Sequence, residues 1–173
     1  MVKCVRLVNS STLTMKLSLN ETHLMNCIDG MQLMDEESVD LVVTSPPYDD
    51  LRTYNDSSKW DHEVFKSVAD NLTRVLKTGG VIMWNVNDAT VKGSETGSSF
   101  RQCLYFMDQC GLRLHDTMIY EKTGTAFASG PKSVRYTQIF EYCFILSKGK
   151  PKTINLIQDK KNAWAGYTSF GNA

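Results

Sequence analysis

One short stretch of the chain combines residue types that can do chemistry at fixed spacing: Thr44-Ser45-Pro46-Pro47-Tyr48, directly after the apolar run Asp40-Leu41-Val42-Val43. Neither proline can donate to a sheet ladder, so a strand running into the pair must end there. Each proline fixes φ, and a proline that precedes another is held extended, so carbonyl directions are set without flexible glycine. A hydroxyl (Ser45) and a backbone carbonyl (Pro46) can therefore converge on one small group, and both accept hydrogen bonds.

That geometry suits a planar amine. The lone pair of a nucleobase amino group is delocalised into its ring, and the nitrogen becomes nucleophilic only as it pyramidalises. Two acceptors holding its two N–H groups favour that geometry and aim the lone pair at an incoming electrophile. Tyr48 supplies a flat face on which a base can stack, and such a base must first leave its duplex. The other reading is a turn that only ends a strand, with Tyr48 packed into the core.

The elements that must position this turn are legible from apolar periodicity. In "EVFKSVADNLTRVLKTGG", Val64, Phe65, Val68, Leu72, Val75 and Leu76 share one helical face, and Gly79 is the expected stop. "GVIMWNV" follows as a buried strand. Ser98 or Ser99 is expected to cap a second helix with the face Phe100, Cys103, Leu104 and Met107, closed by Gly111, and "DTMIYEK" and "IFEYCFILS" read as strands. Strands alternating with helices predict an α/β layer fold with a largely parallel sheet, in which ligands gather at the carboxyl ends of the strands. Ser45-Pro46-Pro47-Tyr48 lies at such an end.

With 173 residues and 42% hydrophobic content, the chain is long enough for one domain with a real core. Lys+Arg and Asp+Glu both total 19, so a nucleic-acid surface must be local. The five cysteines (Cys4, Cys27, Cys103, Cys110 and Cys143) form no C-x-x-C pair, which argues for reduced thiols and against a zinc site or a disulfide framework. His23, His62 and His115 have no partners at metal or triad spacing, and no metal is expected. No run of about 18 apolar residues is present, so no membrane association is expected and a cytoplasmic location is.

"VDLVVTSPPYDDLRTY" resembles the catalytic motif of the amino-group DNA methyltransferases, which methylate the N4 of cytosine or the N6 of adenine. The likeness continues through "LKTGGVIMWNVNDATVKGSETGSSFRQCLYF", "LHDTMIYEK" and "FEYCFILSKGKPKTIN", covers about residues 24 to 162, and looks like the phage and bacterial branch in which the catalytic motif precedes the cofactor motif. It implies a Rossmann-like fold, S-adenosylmethionine as methyl donor, double-stranded DNA as substrate and a restriction-modification or phage setting. It also implies that Ser45, Pro46 and Tyr48 hold the target base, with Thr44 and Pro47 shaping the turn. The serine form of the motif is commoner among cytosine-N4 enzymes, so cytosine is expected first and adenine second. "MNCIDGM" matches the upstream block near the cofactor's adenine, which gives Asn26 and Cys27 as cofactor contacts, Cys27 weighed against a core position; Thr44, at the turn, is taken as a third. Asn26 stands where aspartate is usual. Asp49, Arg52 and Tyr54 in the same loop, with Lys122 and Arg135 at strand ends, are candidates for contact with DNA, each weighed against an ordinary surface charge. Asp88 is expected either to face the cleft or to make an Asx turn.

The family's F-x-G-x-G-type glycine turn is not found and is expected beyond residue 173. The chain then reads as the catalytic half of an incomplete fold: an extension over 1–14, the methyltransferase region over 15–150 and a basic tail over 151–173 that begins a DNA-recognition segment. From Lys148 onward, "KGKPKTINLIQDKK" holds five lysines against one aspartate. A truncated product, one half of a split enzyme completed by a second chain, and a catalytically inactive DNA-binding remnant are the open alternatives. Carbon-5 cytosine chemistry is excluded, because it requires a nucleophilic cysteine after a proline and none of the five follows one.

Overall fold

In the computed structural model, the residues described are 3–4, 17–48, 60–123, 136 and 138–155. A five-stranded sheet has the order β1-β2-β3-β7-β6, where β1 is Lys3–Cys4, β2 Val39–Thr44, β3 Leu76–Val86, β6 Arg113–Glu121 and β7 Phe140–Ser147. Three helices intervene: α1 (Cys27–Gln32), α2 (His62–Val75) and α3 (Ser98–Asp108). Between β3 and α3, β4 (Thr90–Val91) and β5 (Ser94–Glu95) form a small hairpin.

The expected α/β layering is present, but the sheet is mixed. Of its four ladders only β2–β3 is parallel. The physical reason lies in the connections. Helical crossovers link β2, β3 and β6, and these three strands do run in one direction. β7 follows β6 without a helix among the described residues, lies antiparallel beside it and is inserted between β6 and β3. At the other edge β1, inside the segment expected to be an extension, pairs antiparallel with β2.

Asp61 caps α2 by accepting from the backbone N–H groups of Glu63 and Val64, both at 3.0 Å. Phe65, Val68, Ala69, Leu72 and Val75 form its buried face. The helix ends four residues before Gly79. Ser38 N–H donates to Val75 O, and Leu76 pairs with Val39, so the chain turns extended at Leu76 and enters β3 at once. Gly79 instead sits inside β3 at φ +86°, where a Cβ would collide with the Lys152 side chain.

Helix α3 is rotated from the face expected of it. Its buried residues are Ser99, Gln102, Cys103 and Phe106, while Phe100 and Leu104 are about half exposed. Two polar contacts made inside the core set this rotation. The Trp84 indole N–H donates to Gln102 Oε1 (2.9 Å), and Asp88, itself buried, accepts from Ser99 N–H (2.9 Å), Ser99 Oγ (2.6 Å) and Ser98 Oγ (3.1 Å). The helix begins after Gly97 with no side-chain cap of its own; Asp88 satisfies its first turn from beyond the end of β3. Asp88 is therefore neither cleft-facing nor the acceptor of an Asx turn. Phe65, Trp84 and Phe106 close the core edge to face, with centroids 5.2–5.9 Å apart.

Register then separates the faces. Val42 pairs with Ile82, Thr44 with Trp84, and Trp84 with Phe144, so even-numbered side chains of β2, β3 and β7 point toward the helices. Odd-numbered ones (Leu41, Val43, Asn85, Glu141, Cys143) point to the opposite face. Replacing Asp88 with alanine removes the acceptor of the buried Ser99 N–H and Ser99 Oγ and is expected to destabilise the fold by about 3 kcal/mol. The measurement is urea unfolding, with a lower midpoint at an unchanged slope.

Candidate active site

The proline turn leaves the carboxyl end of β2 with Ser45 exposed, Pro46 buried and Pro47 and Tyr48 half-buried. Tyr48 packs against the edge of the hydrophobic core, while its hydroxyl reaches the odd-numbered face. There it meets Ser45 Oγ (2.9 Å), Asn85 Nδ2 (2.9 Å) and Glu141 Oε2 (2.7 Å). Asn85 Nδ2 also donates to Glu141 Oε2 (2.6 Å), and its Oδ1 accepts from the Cys143 thiol (2.8 Å). The Lys122 ammonium completes the cluster at 2.6 Å from Glu141 Oε1. The elements explain the convergence: β2, β3 and β7 are neighbours, and Ser45, Asn85 and Glu141 stand on one face at the same end of the sheet.

Two protonation states follow. Burial pushes the Tyr48 phenol up to about 12; the Glu141 carboxylate adds to the rise, and the bonds from Ser45 and Asn85 oppose it. For Glu141, burial alone would raise the carboxyl, but the bonds from Lys122, Asn85 and Tyr48 outweigh it and hold the group below its usual range. At neutral pH the phenol is protonated and the carboxylate ionised.

Ser45, Pro46, Pro47 and Tyr48 thus lie together as expected. Asn85 and Glu141 were not anticipated, although each leaves a trace: a polar residue inside the otherwise apolar "GVIMWNV" and a lone charge in "IFEYCFILS". Lys122, a candidate for contact with DNA, is paired with Glu141, its side chain 38% exposed. Asp49, Arg52, Tyr54 and Arg135 lie outside the described residues, as does the tail from residue 156. Of the expected cofactor contacts, Thr44 carries a buried hydroxyl with no hydrogen-bond partner among the described residues, at the strand end beside Ser45. Asn26 is exposed and spends its carboxamide oxygen on the Ile28 N–H as the cap of α1, which leaves its amide N–H groups for a ligand. Cys27 is half-buried against the core. These surroundings fit a contact by Thr44 and Asn26 better than one by the Cys27 thiol.

A family model described as DNA methylase, of the N6/N4 methyltransferase type, matches residues 39–170. The chain belongs to this N6/N4 DNA methylase family. It is 61% identical over 127 residues to the orphan methyltransferase M.BamHII of Bacillus amyloliquefaciens, covering 73% of this chain and 45% of that protein. It is 28% identical over 160 residues to the type II methyltransferase M.SmaI of Serratia marcescens, covering 70% and 53%. Among solved structures it is similar to the cytosine-N4-specific PvuII DNA methyltransferase (TM-score 0.61, 20% identity, 75% of this chain and 50% of that one). The protein TTHA0409 of Thermus thermophilus, solved with S-adenosyl-L-methionine, gives TM-score 0.51 at 23% identity, with 76% and 56% covered. These structures carry the Rossmann-like fold class expected for the chain, which spans about half the length of the relatives it matches. Among the described residues, no helix is long and apolar enough to cross a membrane.

A phenol that ionises at about 12 when folded and at 10 when unfolded contributes stability below pH 10 that is lost as pH rises through 12. The difference in alkaline absorbance titration between the native chain and Tyr48→Phe is expected to centre near pH 12, and the variant's stability to fall less steeply between pH 10 and 12.

Proposed function

We propose that this chain provides the base-binding part of an S-adenosylmethionine-dependent DNA methyltransferase that acts on an exocyclic amine of a flipped base, cytosine N4 first. The observation that carries the reading is the exposed Ser45 hydroxyl, held on a rigid proline turn at the carboxyl end of β2 with Tyr48 bonded beside it at 2.9 Å. In this reading Ser45 Oγ and the Pro46 carbonyl each accept one N–H of the target amine. Their pull favours a pyramidal nitrogen and directs its lone pair outward. The Tyr48 ring, anchored through its hydroxyl, gives the base a platform of fixed orientation. Bound S-adenosylmethionine supplies a methyl group on a sulfonium, which the amine can accept without covalent attachment to the protein; we assign Asn26 and Thr44 to its binding. Asp49, Arg52, Tyr54 and Arg135 are assigned to DNA.

Family membership supports methyl transfer to an amine, and the serine form of the turn supports cytosine over adenine. The test is incubation of the protein with unmethylated duplex DNA and S-adenosylmethionine, followed by digestion and mass spectrometry of the nucleosides. N4-methylcytosine is expected, and Ser45→Ala should lower its rate about 100-fold or more, as loss of one preorganised transition-state contact does. N6-methyladenine would make adenine the substrate. DNA binding with no methylated nucleoside would instead favour an inactive DNA-binding remnant or a catalytic half that requires a second, cofactor-binding part.

A further inference from the structure

The cluster around Tyr48 contains more than support for a ring. Each of its members has a limited stock of protons and lone pairs, and together they leave one arrangement. Lys122 only donates, and it lies 2.6 Å from Glu141 Oε1, so this carboxyl faces a permanent donor. The ionised carboxylate can only accept. Asn85 must then turn its amide nitrogen toward Glu141 Oε2 (2.6 Å), and the Cys143 thiol, donating to Asn85 Oδ1, agrees with that orientation. Tyr48 has one proton. Its oxygen lies 2.7 Å from the acceptor-only Glu141 Oε2, so the proton points there, and the phenol oxygen accepts from Asn85. What remains between Ser45 Oγ and Tyr48 Oη, 2.9 Å apart, is a bond in which the serine donates.

We propose that Glu141 is a positioning residue that sets the direction of the hydrogen-bond chain Ser45 to Tyr48 to Glu141, so that Ser45 Oγ meets the target amine as an acceptor only. The serine's one proton is committed inward, and its lone pairs face the base. Were the chain reversed, Tyr48 would donate to Ser45, one lone pair would be used, and the serine's own proton would oppose the N–H of the amine. Lys122 contributes by keeping the carboxylate charged, and Asn85 by filling the second site on the phenol oxygen. The relay rests on the geometry; its consequence for catalysis rests on the proposed function.

Glu141→Gln tests the direction without changing size. Its amide oxygen is drawn to Lys122, its amide nitrogen then faces Tyr48, and the chain reverses. In the full chain, kcat for methyl transfer is expected to fall about 30-fold or more while KM for DNA stays within about threefold, the signature of a contact made in the transition state. In a Ser45→Ala background the same substitution should change the rate by less than about threefold, because the effect passes through the serine; independent, multiplying losses would overturn the proposal. A second variant, Tyr48→Phe, keeps the ring and removes the relay, and wild-type kcat in that variant would also overturn it. An arm that needs no methylation is alkaline titration of Tyr48. Glu141→Gln should move its ionisation down from about 12 toward 10, and Ser45→Ala should move it up, since a donor to the phenol oxygen is lost. Tyr48 unmoved by Glu141→Gln, or moved down by Ser45→Ala, refutes the relay. If the titrations behave as expected while the wild-type protein methylates no DNA, the proposed function fails and the relay stands.

Discussion

The parallel ladder between β2 and β3 is the constraint on which the rest depends. Its register sets Val42 against Ile82 and Thr44 against Trp84, and side chains alternate with a period of two. A slip of one residue would turn Trp84 and Ile82 out of the core and bring Asn85 into it. The same register places Ser45 and Asn85 on one face, and the β3–β7 ladder, pairing Asn85 with Cys143, extends that face to Glu141. Core and site are thus two sides of one sheet, specified together.

Polar groups in this fold direct packing as well as chemistry. Asp88 and Gln102, both buried, are each bonded to partners inside the core and so fix which side of α3 faces inward. This is why α3 presents Ser99 and Gln102 to the sheet while Phe100 and Leu104 stay half exposed. At α1, Arg74 donates to the carbonyls of Met31 and Met34 and ties the short helix to α2. A buried polar residue without a partner is costly, so each of these contacts penalises alternative packings.

Membership in the N6/N4 DNA methylase family and the geometry of the turn meet at the carboxyl end of β2. The prolines hold the turn from the backbone side, and the Tyr48 hydroxyl holds it from the sheet. Rigidity from two directions suits a site that must present acceptors at fixed positions to a small group. The reversed strand β7 matters here because it delivers Glu141 to the open face beside β3, which another parallel crossover strand in that position need not have done.

The sequence by itself determined the elements that local physics controls: the face of α2, the strands around Leu41–Val43, Ile82–Val86 and Tyr142–Leu146, and the proline turn with Ser45 and Tyr48 in place. Apolar period and proline stereochemistry act within a few residues, so a linear reading finds them. Tertiary structure decided what depends on distant partners. α2 stops at Val75 because the backbone of Ser38 and Val39 claims Val75 and Leu76, and the rotation of α3 follows from Trp84 and Asp88. Glu141 joins Tyr48 across 93 residues because β7 inserts beside β3. In the sequence Glu141 is only a charge in an apolar strand; its role comes from neighbours that folding supplies.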